Sequence, residues 1–390
     1  MALGSFVLQV WASRELGAVG LGTFALLFGS IVIATSLTTG LIGDTLIVLD
    51  RHNPEIRTAL FRLALLLTGA LVLLGFGLAA ARVPVSTALL FAGAMTAYVL
   101  ADLARRLLMA TLRFWTLILV DSLGFVAMVA VLGLAYLRGP LGLNHFLAAL
   151  AVGQTVACLT GLSRLEPVER SRPHRGWGQW RAVLRYGAWR AAQQFVRPTM
   201  LNGARWVVLI TAGAAAVGEL EAARVFVAPA ALLVQGFGSY LFSSYAADRA
   251  EGNAPLLRRA DRSAAVMLVG SVLIGGAAGL LLPVLGDLLT AGKFELNLIA
   301  VLGWACYAAS CAAVLPYGSL AAVIGKQQWV LAIRLLDSVV SLTIVAVLLL
   351  LLDVGSEWMP WLLSLGSFLG GLMCRRIIVK AEPMPTKRLT

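Results

Sequence analysis

The most restrictive feature of the sequence is a run of about 20 apolar residues that recurs along its whole length. A helix of that length spans a hydrocarbon core of roughly 30 Å and satisfies its own backbone hydrogen bonds. Hydrophobic residues make up 60% of the 390 residues, and charged residues only 13%. So few charges cannot cover the core of a soluble domain of this length. The sequence therefore predicts an all-α, polytopic membrane protein.

Twelve apolar spans account for almost the whole chain. Their approximate limits are 1–13, 19–43, 58–81, 84–104, 115–137, 141–162, 186–212, 219–245, 262–285, 297–320, 328–352 and 358–376. The first is too short to cross alone, so it either lies partly in the interface or belongs to a longer helix. We expect a six-helix bundle over 1–163, a basic cytoplasmic linker over 164–185, a second six-helix bundle over 186–377 and a cytoplasmic tail over 378–390.

The lysines and arginines are concentrated in every second connection between the spans. Of the 31 lysines and arginines, 24 lie in or near the even-to-odd connections and the C-terminal tail, and five lie on the other side: Arg14, Arg82, Arg138, Arg224 and Lys293. The positive-inside rule then predicts a multi-pass protein of the inner (plasma) membrane with both termini in the cytoplasm. Topology also explains the net charge of +12, so we expect no nucleic-acid partner.

A short internal repeat supports the division into halves. "GAVGLGTFALL" from Gly17 and "AAVGELEAARV" from Ala215 share Ala-Val-Gly just before the second span of each half. An even number of spans per half makes the halves parallel repeats, related by a pseudo-two-fold axis along the membrane normal. Such repeats place a binding site at their interface.

Motifs of enzymes and metal sites are absent from the sequence. It has no HExxH, GxSxG or Walker-type loop and no Cys-x-x-Cys pair. We therefore expect no catalytic residues, no metal and no cofactor. The four cysteines fall in or beside apolar spans, where small buried residues are usual: Cys158, Cys306, Cys311 and Cys374.

The seventh span, "RYGAWRAAQQFVRPTMLNGARWVVLITAG", is unusually polar. On a helical wheel Arg190, Gln194, Arg197 and Arg205 share one stripe. A mid-membrane arginine costs roughly 2.5–3.5 kcal/mol on insertion scales, so the stripe must face the protein interior. Successive arginines of the stripe are about 10–12 Å apart along the helix axis. Pro198 predicts a kink, and a hinge is the functional alternative.

Two explanations of the stripe remain open. The arginines either pair with buried acids, or they face a cavity and bind a doubly negative group such as pyrophosphate. The candidate acids are Asp44, Asp121, Glu219 and Glu221. We favour the anion site, because Asp102 and Asp337 already have arginines nearby in the sequence. Asp44 and Asp121 have the fewest such neighbours, which makes them candidates for proton or sodium coupling, with a helix-packing hydrogen bond as the alternative.

Three segments resemble the oligosaccharide-lipid flippases of the multidrug/oligosaccharidyl-lipid/polysaccharide exporter superfamily. They are "ASRELGAVGLGTFALL", "AVGELEAARVFVAPAALLVQGFGSYLFSSYAADRAEG" and "AAVIGKQQWVLAIRLLDSVVSLTIVAVLLLLL". The resemblance implies alternating-access transport of an undecaprenyl-diphosphate-linked oligosaccharide from the inner to the outer leaflet, in cell-surface polysaccharide assembly. It implies membrane lipids and the lipid-linked glycan as partners, with a polysaccharide polymerase or glycosyltransferases as further candidates. Cavity arginines would hold the diphosphate, and Arg14 matches the family's basic residue ahead of its glycine.

Other functions remain open. An ion-coupled exporter of small cationic compounds from the same superfamily would need a cavity richer in acids. A membrane glycan polymerase would need a sizeable outer loop, whereas the outer loops here are only a few residues long. A purely structural membrane subunit is also compatible with the sequence.

Overall fold

The computed structural model describes residues 2–49, 53–111, 113–165, 176–248, 253–294, 296–352 and 354–380, and helices are the only regular structure in those ranges. We number the helices α1 to α12. They are Ala2–Glu15, Gly17–Thr38, Pro54–Ala80, Val85–Ala110, Phe114–Tyr136, Leu143–Ser163, Trp180–Phe226, Ala228–Ala247, Asn253–Thr290, Leu298–Val323, Gln327–Leu351 and Met359–Val379. Helix α2 continues through a π-helical turn, Thr39–Gly43, and a last helical segment, Asp44–Val48.

Helix starts follow ordinary capping chemistry. The Asn53 side chain accepts a hydrogen bond from the Glu55 amide at the start of α3, where Pro54 fixes the first helical residue. Asn297 caps α10 in the same way through the Ile299 amide. Such caps satisfy backbone donors that the helix itself leaves unpaired.

In the part of the chain that the structure describes, ten helices are long and apolar enough to cross a membrane. Large apolar side chains on their outer faces are exposed, among them Leu73 and Leu280, as expected for surfaces that lipid covers. The prediction of a multi-pass, all-helical membrane protein is thus confirmed. Helix α1 has 14 residues, which matches the short first span.

The chain divides into two compact units. The first contains Leu3–Leu8 and Thr23–Asn202, and the second contains Gln9–Gly22 and the described residues from Gly203 onward. The first unit is centred on aromatic rings, with Phe24 stacked on Phe28 and Phe146 tilted against Phe24. In the second unit, the Trp304 indole donates a hydrogen bond to the Leu220 carbonyl at 2.8 Å. Both α1–α2 and α7 contribute residues to each unit, and the predicted bundle limits stay a prediction.

The internal repeat has a counterpart in the backbone. Gly17, between α1 and α2, has φ +65°, and Gly213 breaks α7 with φ +84°. Glycine adopts these left-handed angles without the steric cost that a side chain would add. Gly17 directly precedes its Ala-Val-Gly and Gly213 lies three residues before the other copy, so each copy follows a glycine with positive φ.

Helix α7 begins at Trp180, six residues before the predicted Tyr186. Its first turn packs on α3, where Val183 is fully buried beside Ile56 and Ala59. The Gln179 side chain also donates to the Glu55 carboxylate at 3.0 Å. Because arginines are interspersed with the apolar residues here, the sequence alone does not reveal that this turn has an apolar face. Of the predicted linker 164–185, residues 166–175 lie outside the described residues, as do residues 381–390 of the predicted tail.

Candidate functional site

Helix α7 carries the candidate site residues. Between Trp180 and Gly218 it has five arginines and no acid, and Pro198 lies inside the helix. A segment with this charge inside a membrane protein needs acids from other elements, or a ligand, to balance it. The partners of each arginine therefore determine what the segment can bind.

Arg190 pairs with Asp44, which lies directly after the π-helical turn. The Asp44 Oδ2 atom lies 2.8 Å from Arg190 Nη2 and accepts a hydrogen bond from Arg190 Nε at 3.0 Å. Gln194 donates to the same oxygen at 3.4 Å, and Gln193 Oε1 accepts from Arg190 Nη1 at 2.9 Å. The Asp44 side chain is 12% exposed and that of Arg190 is 36% exposed. The guanidinium has more N–H donors than these contacts use, so it retains capacity for another anion.

Small residues allow this pair to form. A Cβ on Gly40 would lie 2.4 Å from the Ala191 Cα, and a Cβ on Gly187 would lie 2.4 Å from the Leu41 carbonyl oxygen. The backbones of α7 and the π-helical turn are therefore in direct contact, the close approach that small residues permit between membrane helices. The turn of Thr39–Gly43 then presents Asp44 to Arg190. Single π turns of this kind are frequent at functional sites.

Arg205 belongs to a second, more buried network. Its Nε lies 2.7 Å from Glu221 Oε1, and Arg224 Nε lies 2.7 Å from Glu221 Oε2. Arg224 Nη2 also donates to the Gln9 side chain at 2.8 Å. The side chains of Arg205 and Glu221 are 11% and 3% exposed. Both carboxylate oxygens are thus occupied by arginines, which matches the charge-assisted geometry of a structural ion network.

These pairs correct one prediction from the sequence. The stripe is not unpaired: Arg190 contacts Asp44 and Arg205 contacts Glu221. These are pairs of the kind that the structural explanation expects, with Asp44 supplied by the segment after the π-helical turn and Glu221 by α7 itself. The anion-site explanation had rested on local sequence neighbours, which do not reveal partners that are far apart in the chain.

Asp44 and Asp121 also have arginine partners, contrary to the reason for choosing them. Asp121 Oδ1 lies 3.0 Å from Arg105 Nε. Asp102 has the expected local partners, at 3.8 Å from Arg105 and 3.5 Å from Arg106. Asp121 also lines a cavity of about 40 Å³ together with Ser5 and Gln154. Within the described ranges, the buried Oε1 of Gln154 has no hydrogen-bond partner. A polar cavity of that size can hold a water molecule or a small cation.

The middle of α7 contains polar atoms that sequence reasoning did not assign to the site. Arg197 is half-buried beside Pro198. The Thr199 hydroxyl and the Asn202 side-chain oxygen are buried atoms that form no hydrogen bond with any residue that the structure describes. Unsatisfied buried groups are rare in native proteins and call for an explanation such as a ligand. The sequence feature that could have identified these residues is their position within about one turn of Pro198.

Arg14 is exposed in the last turn of α1. It lies in the second unit with Gln9, whereas Arg190 and Arg197 lie in the first. Among the described residues no group of histidine, cysteine, aspartate and glutamate side chains has the arrangement of a metal site.

Comparison with known proteins gives the fold. No family model and no curated protein matches the sequence. A solved structure, the inward-facing conformation of a multidrug resistance MATE family transporter of the MOP superfamily, matches with a TM-score of 0.76 and 14% identity, over 97% of this chain and 94% of that one. The lipid II flippase MurJ, in an inward closed conformation, matches with a TM-score of 0.70 and 11% identity, over 97% of this chain and 86% of that one. The chain has their all-helical fold of two six-helix lobes, as predicted.

Proposed function

We propose that this protein is a flippase of the inner membrane, with both termini in the cytoplasm. It moves an undecaprenyl-diphosphate-linked oligosaccharide from the inner to the outer leaflet by alternating access, in cell-surface polysaccharide assembly. The observation that carries the proposal is the charge of α7, with five arginines and no acid between Trp180 and Gly218. The whole of α7 contains six arginines and two glutamates, so it keeps an excess of cations even after Arg190 pairs with Asp44, and that excess suits a doubly negative headgroup better than a cationic drug.

The diphosphate is held by arginines along α7, with Gln194 beside Arg190. Arg190 captures the headgroup near the cytoplasmic surface, Arg197 holds it at the midplane, and Arg205 and Arg14 receive it on the outer side. The exposed fraction of Arg190 and its hydrogen bonds to Asp44 support an exchange in which phosphate oxygens join or replace the carboxylate. At Arg197, the unsatisfied Thr199 and Asn202 side chains supply further polar contacts.

Pro198 is the hinge in this mechanism. Proline removes one backbone hydrogen bond from the helix and opens the ladder of bonds there. Bending of α7 at Pro198 changes which arginines of the stripe contact the substrate. A polysaccharide polymerase or glycosyltransferases are the partners that would supply or use the glycan.

An ion-coupled small-molecule exporter is the second candidate. It is favoured by the multidrug transporter among the similar structures and by acids inside the helices, notably Asp121 at its small polar cavity. In either function Asp44 and Asp121 are the candidates for proton or sodium coupling. We expect the Asp44→Asn, Asp121→Asn double variant to lose dependence on the ion gradient. Transport that keeps this dependence would remove both residues from the mechanism.

The test of the flippase is a translocation assay in proteoliposomes with a fluorescent undecaprenyl-diphosphate oligosaccharide. Arginine binds phosphate through two donors in a fixed plane, so Arg197→Lys should slow translocation although the charge remains, and Arg197→Ala should slow it further. Arg185→Ala, on the same helix but away from its middle, is the control. A well-folded Arg197→Ala protein with the normal rate would contradict the proposal.

A further inference from the structure

The first unit contains a cavity that the transport mechanism does not use. Its volume is about 250 Å³, and its walls come from α3, α4, α6 and the end of α2. An apolar cavity of about 150 Å³ is already large enough to bind benzene. This one can hold a longer apolar group, such as a segment of an acyl chain.

The cavity lies at one end of the unit, the end that the charge pattern places in the cytoplasm. On α3 its lining residues extend from Arg57, near the helix start, to Leu65, a rise of about 12 Å. On α4 and α6 they lie near the helix ends, as Leu107 and Leu162 show. Phe61, Leu65 and Leu162 are exposed as well as lining. The cavity therefore opens sideways at the surface of the unit, within one leaflet.

The lining is apolar except for two arginines. Among the 15 described residues that line it, Arg57 and Arg106 are the only charged ones. Asp102 lies 3.5 Å from Arg106, but it also accepts a hydrogen bond from Thr39 at 2.7 Å and is 3.8 Å from Arg105. Asp102 is thus shared among several donors, and the cavity has two arginines at one end and apolar walls.

The position of Arg106 depends on a glycine. A Cβ on Gly43 would lie 3.0 Å from Arg106 Cγ and 3.3 Å from its Cδ. The arginine stem therefore packs directly on the backbone of the π-helical turn. This contact keeps the guanidinium at the wall of the cavity.

We propose that this cavity is a binding site for an anionic membrane phospholipid, which places its phosphate at Arg57 and Arg106 and one acyl chain between α3 and α4. Basic pockets between membrane helices on the cytoplasmic side suit anionic headgroups, which are abundant in that leaflet. The long apolar wall excludes a free phosphate ion as the preferred occupant. The site does not depend on the proposed flippase function, since none of its lining residues belongs to the arginine stripe.

Native mass spectrometry of the purified, delipidated protein tests the site. The probes are dioleoylphosphatidylglycerol and dioleoylphosphatidylcholine, which have the same chains and differ in net charge. The wild type should retain the anionic lipid more strongly, and the Arg57→Gln, Arg106→Gln double variant should lose on the order of tenfold in that affinity. Ala64→Phe should fill the cavity and abolish retention.

Matched controls separate this site from general surface charge. The Arg62→Gln, Arg113→Gln variant removes two arginines from the same unit that do not line the cavity, and Ala70→Phe adds a ring to an exposed position of α3. Both should retain the lipid as the wild type does. Equal retention by the two arginine double variants would overturn the proposal, as would equal affinity for the neutral lipid or displacement by inorganic pyrophosphate. If the Arg57, Arg106 variant does not fold, Ala64→Phe decides: retention of the anionic lipid by that variant would refute the site.

Discussion

The acids of the two ion networks of α7 differ in their solvent exposure. Glu221 is 3% exposed between Arg205 and Arg224, whereas Asp44 is 12% exposed and its partner Arg190 is 36% exposed. Removing one partner of a buried ion pair leaves an uncompensated charge, while an exposed partner recovers hydration. The Glu221 network therefore contributes more to stability, and the Asp44 pair is better suited to exchange its ligand.

We accordingly expect Glu221→Gln to lower the stability of the folded protein by about 3–5 kcal/mol, and Asp44→Asn to have a smaller effect. The measurement is the thermal unfolding midpoint of the purified protein in detergent. Glu219→Gln, two residues away and exposed, should leave the midpoint unchanged. A larger effect of Asp44→Asn than of Glu221→Gln would contradict this ranking.

At the residue scale the sequence identifies the charged groups and the candidate acids, but not which acid pairs with which arginine. A helical wheel places Arg190 and Arg205 on one face of α7 because that pattern is local. Their acids are Asp44, 146 residues away, and Glu221, which lies beyond the break at Gly213. Such pairings depend on how the helices pack, so composition alone made the stripe look unpaired.

At the element scale, apolar periodicity predicts the spans well because a membrane imposes a length on each helix. It fails at the start of α7, where Arg181 and Arg185 share the first turns with the buried Val183. It also gives no sign of the π-helical turn at Thr39–Gly43. At that turn the backbone contacts α7 through Gly40 and Gly187.

The close approach of α2 and the end of α7 gives a prediction for the second unit. A Cβ on Gly218 would lie 1.9 Å from the Ala18 carbonyl oxygen, a backbone atom that cannot move aside alone. Gly218→Ala should therefore destabilise the protein by about 1–3 kcal/mol, the usual effect of overpacking. The thermal unfolding midpoint measures this change.

Gly276→Ala is the matched control, because nothing lies within 4 Å of a Cβ at that helical position. Alanine there should be neutral or slightly stabilising, since it reduces the conformational freedom of the unfolded chain. Equal midpoints for Gly218→Ala and Gly276→Ala would show that the backbones of Gly218 and Ala18 are not in contact.

At the scale of the whole molecule, the charge asymmetry predicts the orientation. With 24 of 31 basic residues on one side, reporter fusions after Arg175 and after the C-terminus should both be active as cytoplasmic reporters. Both fusion points lie outside the described residues, and their placement rests on sequence. A fusion inserted after Arg138 should report the opposite side. An external signal at Arg175 or at the C-terminus would contradict the six-plus-six arrangement.

Substrate selection tests the central claim most directly. Wild-type protein in proteoliposomes is given either a fluorescent undecaprenyl-diphosphate oligosaccharide or a cationic dye, and the transbilayer movement of each is measured against protein-free vesicles. Because α7 has a surplus of arginines, we expect the diphosphate lipid to move rapidly and excess pyrophosphate to slow it, with no acceleration of the dye. Rapid transport of the cationic dye without movement of the lipid would contradict the flippase and favour the exporter.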